Sequence, residues 1–197
     1  YSGEKVITNS GYFQDYKHQL NIISKSTASH STLILNNTSN VRFERNKNGN
    51  MLVSKNFKIL NKEIKSEKSF WLIKASHDAY SKSNGVIHER QIQYFHDSHK
   101  LEGCDKLIKT KNFKSSNFEL RFHLLPNIKL TKLLNNECIL IESNNAGWKF
   151  TCKNHNMDIE TGLYFGMKNK YLENKNILVS GLTDPEEQNI FWEIAKI

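Results

Sequence analysis

The stretch Asn117-Phe118-Glu119-Leu120-Arg121-Phe122-His123-Leu124 decides the fold class. Phe118, Leu120, Phe122 and Leu124 fall on one face at period two, and Glu119, Arg121 and His123 on the other. That is the pattern of a half-buried β-strand, and Pro126 and Asn127 punctuate its end. The signature repeats outward in both directions. Downstream, Glu137–Glu142 reads as a strand and Asn144-Asn145-Ala146-Gly147 as a turn. Trp148, Phe150 and Cys152 then alternate on the returning strand of a hairpin. Lys153-Asn154-His155-Asn156 turns again into Met157–Tyr164. Upstream, Lys5–Asn9, Gln19–Ser24, Ser31–Leu35, Phe57–Lys65, Phe70–His77, Gly85–Phe95 and Leu101–Ile108 are strand candidates, and Asn46-Lys47-Asn48-Gly49 is the plainest turn. Near the C-terminus, Asp184-Pro185-Glu186-Glu187 carries the cap, proline and acids of a helix start. Because Ile190, Trp192 and Ile194 alternate, it reads instead as a short turn before a final strand. Roughly ten or more strands, with no long helix, repeat or compositional break, give an all-β fold: one large antiparallel β-sandwich over residues 1–197.

With 197 residues, 38% of them hydrophobic, the chain can bury a core and does not have the composition of a disordered segment. No apolar run approaches the ~20 residues that span a bilayer, so no transmembrane segment is expected. The chain opens Tyr1-Ser2-Gly3-Glu4 without an initiating Met or a signal-peptide pattern, and reads as a piece of a longer protein. The formal charge of +8 suits an anionic partner, whether nucleic acid, anionic lipid or acidic glycan. Arginine, however, occurs only at Arg42, Arg45, Arg90 and Arg121. Abundant Lys and Asn with little Arg is also what an AT-rich genome gives any surface. Cys104, Cys138 and Cys152 are odd in number and lack CxxC spacing, against a disulfide framework and a cysteine zinc site. Cys138 and Cys152 lie in apolar strand patterns and read as core residues.

The eight histidines are where chemistry would sit. No HxH, HExxH, GxSxG, Walker A or GxGxxG motif is present. His30 precedes an apolar run and shares a strand face with Thr32 and Ile34; taken alone it reads as a hydrogen-bonded, partly buried histidine. His77 ends the face made by Trp71, Ile73 and Ala75, where a turn carbonyl would satisfy it. His88 and Arg90 share a face with Val86, Ile92 and Tyr94 and need partners, because unpaired buried charge is costly. They make either an internal ion pair or the floor of a glycan cleft. Arg121 and His123 read as a solvated sheet face, and His96-Asp97-Ser98-His99 as an exposed hairpin tip.

Taken in order, several short stretches resemble the C-terminal β-sandwich of heparinase II/III-like polysaccharide lyases, particularly their alphaproteobacterial branch. They are Val6-Ile7-Thr8-Asn9-Ser10-Gly11-Tyr12, Ser26-Thr27-Ala28-Ser29-His30-Ser31-Thr32-Leu33, Ala75-Ser76-His77-Asp78-Ala79-Tyr80 and Val86-Ile87-His88-Glu89-Arg90. Leu101-Glu102-Gly103-Cys104-Asp105-Lys106-Leu107, the stretch Phe118–Pro126 and Asn145-Ala146-Gly147-Trp148-Lys149-Phe150 complete the series.

The resemblance implies an α/α toroid domain upstream, a substrate cleft between toroid and sandwich, and β-elimination at a uronic acid of an acidic polysaccharide. Tyr and His transfer the protons in that chemistry, and positioned groups of this kind contribute ~10²–10⁴-fold each. Those residues would precede Tyr1, so the piece alone is expected to be inactive, with no catalytic residue of its own. The resemblance also implies a zinc in some relatives, held by a His of a strand that would precede Tyr1, an Asp and a second His. His30 matches one ligand, and Asn9 stands where those relatives have an Asp, a better zinc ligand than a neutral amide. Tyr12, His77, Tyr80, His88 and Arg90 match positions expected to line the cleft or build the sandwich. By resemblance the protein is bacterial, works in the periplasm or cell envelope, and binds glycan rather than nucleic acid. The rival readings are a non-catalytic carbohydrate-binding or structural sandwich, and an accessory domain of a glycoside hydrolase that uses two carboxylates.

Overall fold

The alternating stretch Asn117–His123 forms strand β8, at the interior of a four-stranded antiparallel sheet. Its neighbours are β1 (Leu33–Leu35) and β13 (Lys170–Leu182), and β12 (Asn156–Met167) follows β13. In this computed structural model the described residues are 3, 5–47, 51–54, 57–168, 170–184 and 186–197. A second antiparallel sheet has eight strands in the order β4-β5-β6-β7-β14-β11-β10-β9. These are β4 (Ile59–Ser66), β5 (Phe70–His77), β6 (Val86–Phe95), β7 (Lys100–Lys109), β14 (Gln188–Lys196), β11 (Gly147–Cys152), β10 (Ile139–Glu142) and β9 (Lys129–Lys132). A separate hairpin pairs β2 (Arg42–Arg45) with β3 (Met51–Ser54).

The two sheets face each other through the apolar sides of their pleats. Phe118, Leu120 and Phe122 of β8, with Ile177 and Val179 of β13, are buried against Phe150, Ile190, Trp192 and Ile194 of the larger sheet. The Phe122 ring sits edge-on to Phe150 and Trp192, with both centroids 4.8 Å away, in the geometry that aromatic quadrupoles favour. Cys138 and Cys152 are buried, as their pattern predicts. Residue 103 must be glycine for Trp192 to lie as it does. A Cβ there would occupy the space of the indole ring, overlapping its Cζ2 and Cε2 atoms.

The outer face of the smaller sheet is not solvated where β8 ends. Thr8 bridges to His123, Ser10 accepts from the Phe165 amide, and Gly11 bridges to Phe165, so residues 8–11 cross that face. His123, Asn174 and Asn176 are buried beneath them, which corrects the expectation of a solvated strip at Arg121 and His123. Arg121 is held between Glu119 (2.6 Å) and Glu160 (2.7 Å).

Most expected strands are present, β2, β3, β9 and β13 occur where none was named, and three of the named segments differ. Gln19–Ser24 belongs to a helix, α1 (Gln19–Lys25), and not to a strand. Its buried face is polar: Asn21 and Ser24, three residues apart, point inward, Asn21 donating to the Phe13 carbonyl and Ser24 accepting from the Phe13 amide. The His18 ring caps the helix by accepting from the Leu20 amide. The Lys5–Asn9 segment makes an isolated bridge at Thr8 rather than a ladder. The Ser31–Leu35 candidate shortens to Leu33–Leu35, because the Ser31 hydroxyl takes the hydrogen bonds that a strand backbone would make there. The turn expected at Asn46–Gly49 runs onto residues 48 and 49, which lie outside the described residues, as does Pro185 of the C-terminal turn. The final strand β14 begins at Gln188, as the alternation predicts.

Replacing Gly103 with Ala is expected to lower stability by about 1–3 kcal/mol, the scale of core overpacking. Urea denaturation of Gly103→Ala checks this, and an unchanged midpoint would contradict the close approach of Trp192.

Candidate functional site

Strands β5, β6, β7 and β14 are consecutive neighbours in the larger sheet, and their register brings His77 opposite His88, and Arg90 opposite Asp105. Asp105 is fully buried, where an ionised carboxylate is tolerated only with a full set of donors. It has them. Its Oδ1 accepts from His88 Nε2 (2.6 Å) and Arg90 Nε (2.7 Å), and its Oδ2 from Arg90 Nη2 (3.1 Å) and Trp192 Nε1 (2.8 Å). Those four bonds fill the acceptor sites of a carboxylate, and the Arg90 fork is charge-assisted and bidentate. Burial alone would raise the Asp105 pKa, but Arg90 and the His88 hydrogen bond outweigh it and hold the carboxyl well below its usual range.

The hydrogen-bond network assigns the ring protons. His77 Nδ1 accepts from the Ala79 amide (3.3 Å), so the proton of the neutral ring lies on Nε2. His77 Nε2 therefore donates to His88 Nδ1 (3.2 Å), which leaves His88 to donate through Nε2 to Asp105. His77 is thereby held as the neutral Nε2 tautomer. Burial, with the nearby His88 and Arg90, pushes the His77 pKa down to about 4. His77 is thus satisfied by a turn amide and a second imidazole, where a turn carbonyl was expected.

Arg90 carries the network to the other side of the sandwich. Its Nη1 donates to the Ser31 carbonyl (2.5 Å). Ser31 is a junction in its own right. Its amide donates to Asn9 Oδ1 (3.2 Å), its hydroxyl donates to the Thr8 carbonyl (2.5 Å), and that hydroxyl accepts from the His123 amide (2.9 Å). His123 completes the cluster, with Nε2 against the Ala28 carbonyl (2.9 Å) and Nδ1 against Ser10 Oγ (3.2 Å).

His30 sits immediately before this junction, at the end of the 3₁₀ turn Thr27–Ser29 rather than within a strand. It is half-buried, and its ring makes no hydrogen bond among the described residues; burial lowers its pKa. It is the one expected ligand left with its ring nitrogens available. Asn9 is beside it, but the Asn9 amide oxygen is engaged by Ser31. Tyr80 is buried and donates to the Leu33 carbonyl (3.0 Å), with burial raising its pKa, so it is part of the architecture. Tyr12 is half exposed on the outer surface, where its hydroxyl accepts from Asn21.

The described residues do not by themselves make up a four-coordinate zinc site. Asn9 is engaged, both His123 nitrogens are engaged, and the described residues contain no group of three or more His, Cys, Asp or Glu side chains able to hold a metal. In the His77–His88–Asp105 chain each polar atom is already paired within the protein, and through Arg90 the arrangement fixes the loop at Ser31. Asp105 and Ser31 were missed as site residues in the sequence. Asp105 could have been found as the lone acid on the Leu101, Gly103, Leu107 face of β7, in register with an unpartnered His and Arg.

Residues 1–193 match the family described as heparinase II/III-like, C-terminal. The chain belongs to that family. Its fold is that of solved heparinases. Heparan sulfate lyase HepC from Pedobacter heparinus superposes with a TM-score of 0.74 at 14% identity, over 98% of this chain and 29% of that one. A structure of heparinase III gives 0.70 at 13% identity, over 100% and 28%. This heparinase II/III-like chain therefore spans under a third of the length of those structures. No curated protein sequence matches it.

Stability is expected to depend on pH through His77. Its folded pKa is about 4 against an ordinary 6.5, so the unfolded state binds more protons between those values. Stability is complete above about pH 6.5 and declines as the pH falls toward about 4. His77→Gln keeps a donor near Nε2 and removes the titration. It should keep near-neutral stability to within about 1 kcal/mol and flatten the decline. Urea midpoints measured across that pH range check this; an equal slope in the variant would contradict it.

Proposed function

We propose that this chain is the C-terminal sandwich of a polysaccharide lyase that cleaves a uronate-bearing glycan, of the heparan or another acidic kind, by β-elimination. The observation that carries this reading is the family match over residues 1–193, and the heparinase fold supports it. In the reaction a base removes the proton beside the uronate carboxylate, the leaving glycosidic oxygen takes a proton, and a carbon–carbon double bond forms in the product.

The paired state of His77, His88, Arg90 and Asp105 supports placing the acid and base in another part of the longer protein, with an N-terminal toroid domain as the partner. This chain then forms one wall of the cleft and presents His30 from a loop held by Arg90 and Asp105. The same reading places the protein in the periplasm or cell envelope of an alphaproteobacterium. Among the described residues no helix is long and apolar enough to cross a membrane.

The test is a comparison of this chain with the full-length protein on heparan sulfate and on unsulfated uronate polymers. The full-length protein should release oligosaccharides with unsaturated uronate ends, seen by their ultraviolet absorbance, and this chain alone should release none. Saturated products from the full-length protein would instead mark a hydrolase. Turnover by this chain would overturn the placement of the catalytic groups.

A further inference from the structure

Beside the His77 end of the network lies an open cleft of about 710 Å³. Three separate parts of the chain wall it: the loop at Thr38–Val41 leading into Arg42 of β2, the approach to β4 at Phe57 and Lys58, and the turn Asp78–Ser83 after β5. Each contributes a cation, namely Arg42, Lys58 and Lys82. All three are exposed, and none has an ion-pair partner among the described residues. Asp78 is the one acid of the lining, and its Oδ1 already accepts from the Lys58 amide (2.6 Å). Serine and threonine hydroxyls and the Asn40 amide supply most of the remaining polar surface.

The walls are fixed. Thr27 Oγ1 donates to Asn40 Oδ1 (2.6 Å) and accepts from the Asn40 amide (2.8 Å), and the Thr27 amide donates to Ser39 Oγ (3.1 Å). Thr27 opens the 3₁₀ turn that ends at His30, and Asp78 directly follows His77. The cleft is thus tied on one side to the loop that carries His30, and on the other to the buried network.

We propose that this cleft binds an acidic saccharide chain, with Arg42, Lys58 and Lys82 taking its carboxylate or sulfate groups and the hydroxyl-rich lining taking its ring hydroxyls. The chemistry points to a sugar polyanion. The cations come from three chain segments and do not converge from one helix terminus or glycine loop, as in a compact phosphate site. Phe57 is the one aromatic of the lining and packs beside the His77 ring (5.3 Å), so successive nucleobases have no series of rings to stack on. Exposed cations of this kind give modest, salt-screened contacts that add along a polyanion. The inference rests on the acidic-glycan reading above and extends it to a subsite on this chain.

The test is calorimetric titration of this chain with a heparin hexasaccharide and with an unsulfated heparosan hexasaccharide. The triple variant Arg42→Gln, Lys58→Gln, Lys82→Gln should lose roughly tenfold in affinity, the scale of three exposed ion pairs. A control triple, Lys149→Gln, Lys153→Gln, Lys170→Gln, removes the same charge from exposed positions elsewhere and should change affinity less than about twofold. Wild-type affinity should fall as salt rises, which tests the ionic contacts without any substitution. Equal losses in both triples would overturn the cleft in favour of general charge attraction, and so would absence of binding to either saccharide. The lyase reading is judged separately: unsaturated products from the full-length protein with no cleft effect sink the subsite alone, and binding through the cleft without such products sinks the lyase alone.

Discussion

A carboxylate with no access to water sets the terms for the rest of this structure. Asp105 is buried between two packed sheets, where an ionised group without compensation would cost several kcal/mol. The surrounding sequence supplies the compensation strand by strand: His88 and Arg90 from β6 and Trp192 from β14, four donors in all. Trp192 reaches Oδ2 only because residue 103 lacks a side chain, so a glycine in β7 and an aspartate two residues on act as one unit. Truncating one partner leaves a buried charge uncompensated, which is why this cluster constrains its neighbours more than an apolar core of equal volume would.

The consequence reaches the surface through Arg90. Two of its nitrogens serve Asp105 and the third holds the Ser31 carbonyl, joining the larger sheet to the loop that precedes β1. Ser31 collects the Asn9 side chain, the Thr8 carbonyl and the His123 amide at the same point. The conformation of residues 27–31, and hence the placement of His30, follows from these bonds more than from apolar packing. A polar layer of this kind specifies one arrangement, because each donor has a particular acceptor and a slipped register would leave several of them unpaired.

Much of the fold was legible in the sequence, for a physical reason. Where one face of a strand is buried, the two-residue period must be written in apolar side chains, as it is at Phe118, Leu120 and Phe122. Reading failed where burial is polar. Helix α1 turns inward on Asn21 and Ser24, so its helical period is invisible to a search for apolar spacing. His123 looked solvated because its cover, residues 8–11, comes from far away in the chain. At the candidate site, the need of His88 and Arg90 for partners could be inferred from their apolar strand face. The structure shows the internal ion pair, between Arg90 and Asp105. Which residue answered them depends on strand order, and β7 lies beside β6 only in three dimensions.

On the function proposed above, a sandwich whose charged interior is closed on itself serves as a rigid wall of the cleft; the chain spans under a third of the heparinases it resembles in fold. The closure of that interior depends on where its protons lie. Nitrogen-15 NMR of the histidine rings near neutral pH measures this directly. The account predicts a neutral His77 with its proton on Nε2 and a bare Nδ1, and a proton on the His88 Nε2 that faces Asp105. A His77 ring with its proton on Nδ1 would contradict it.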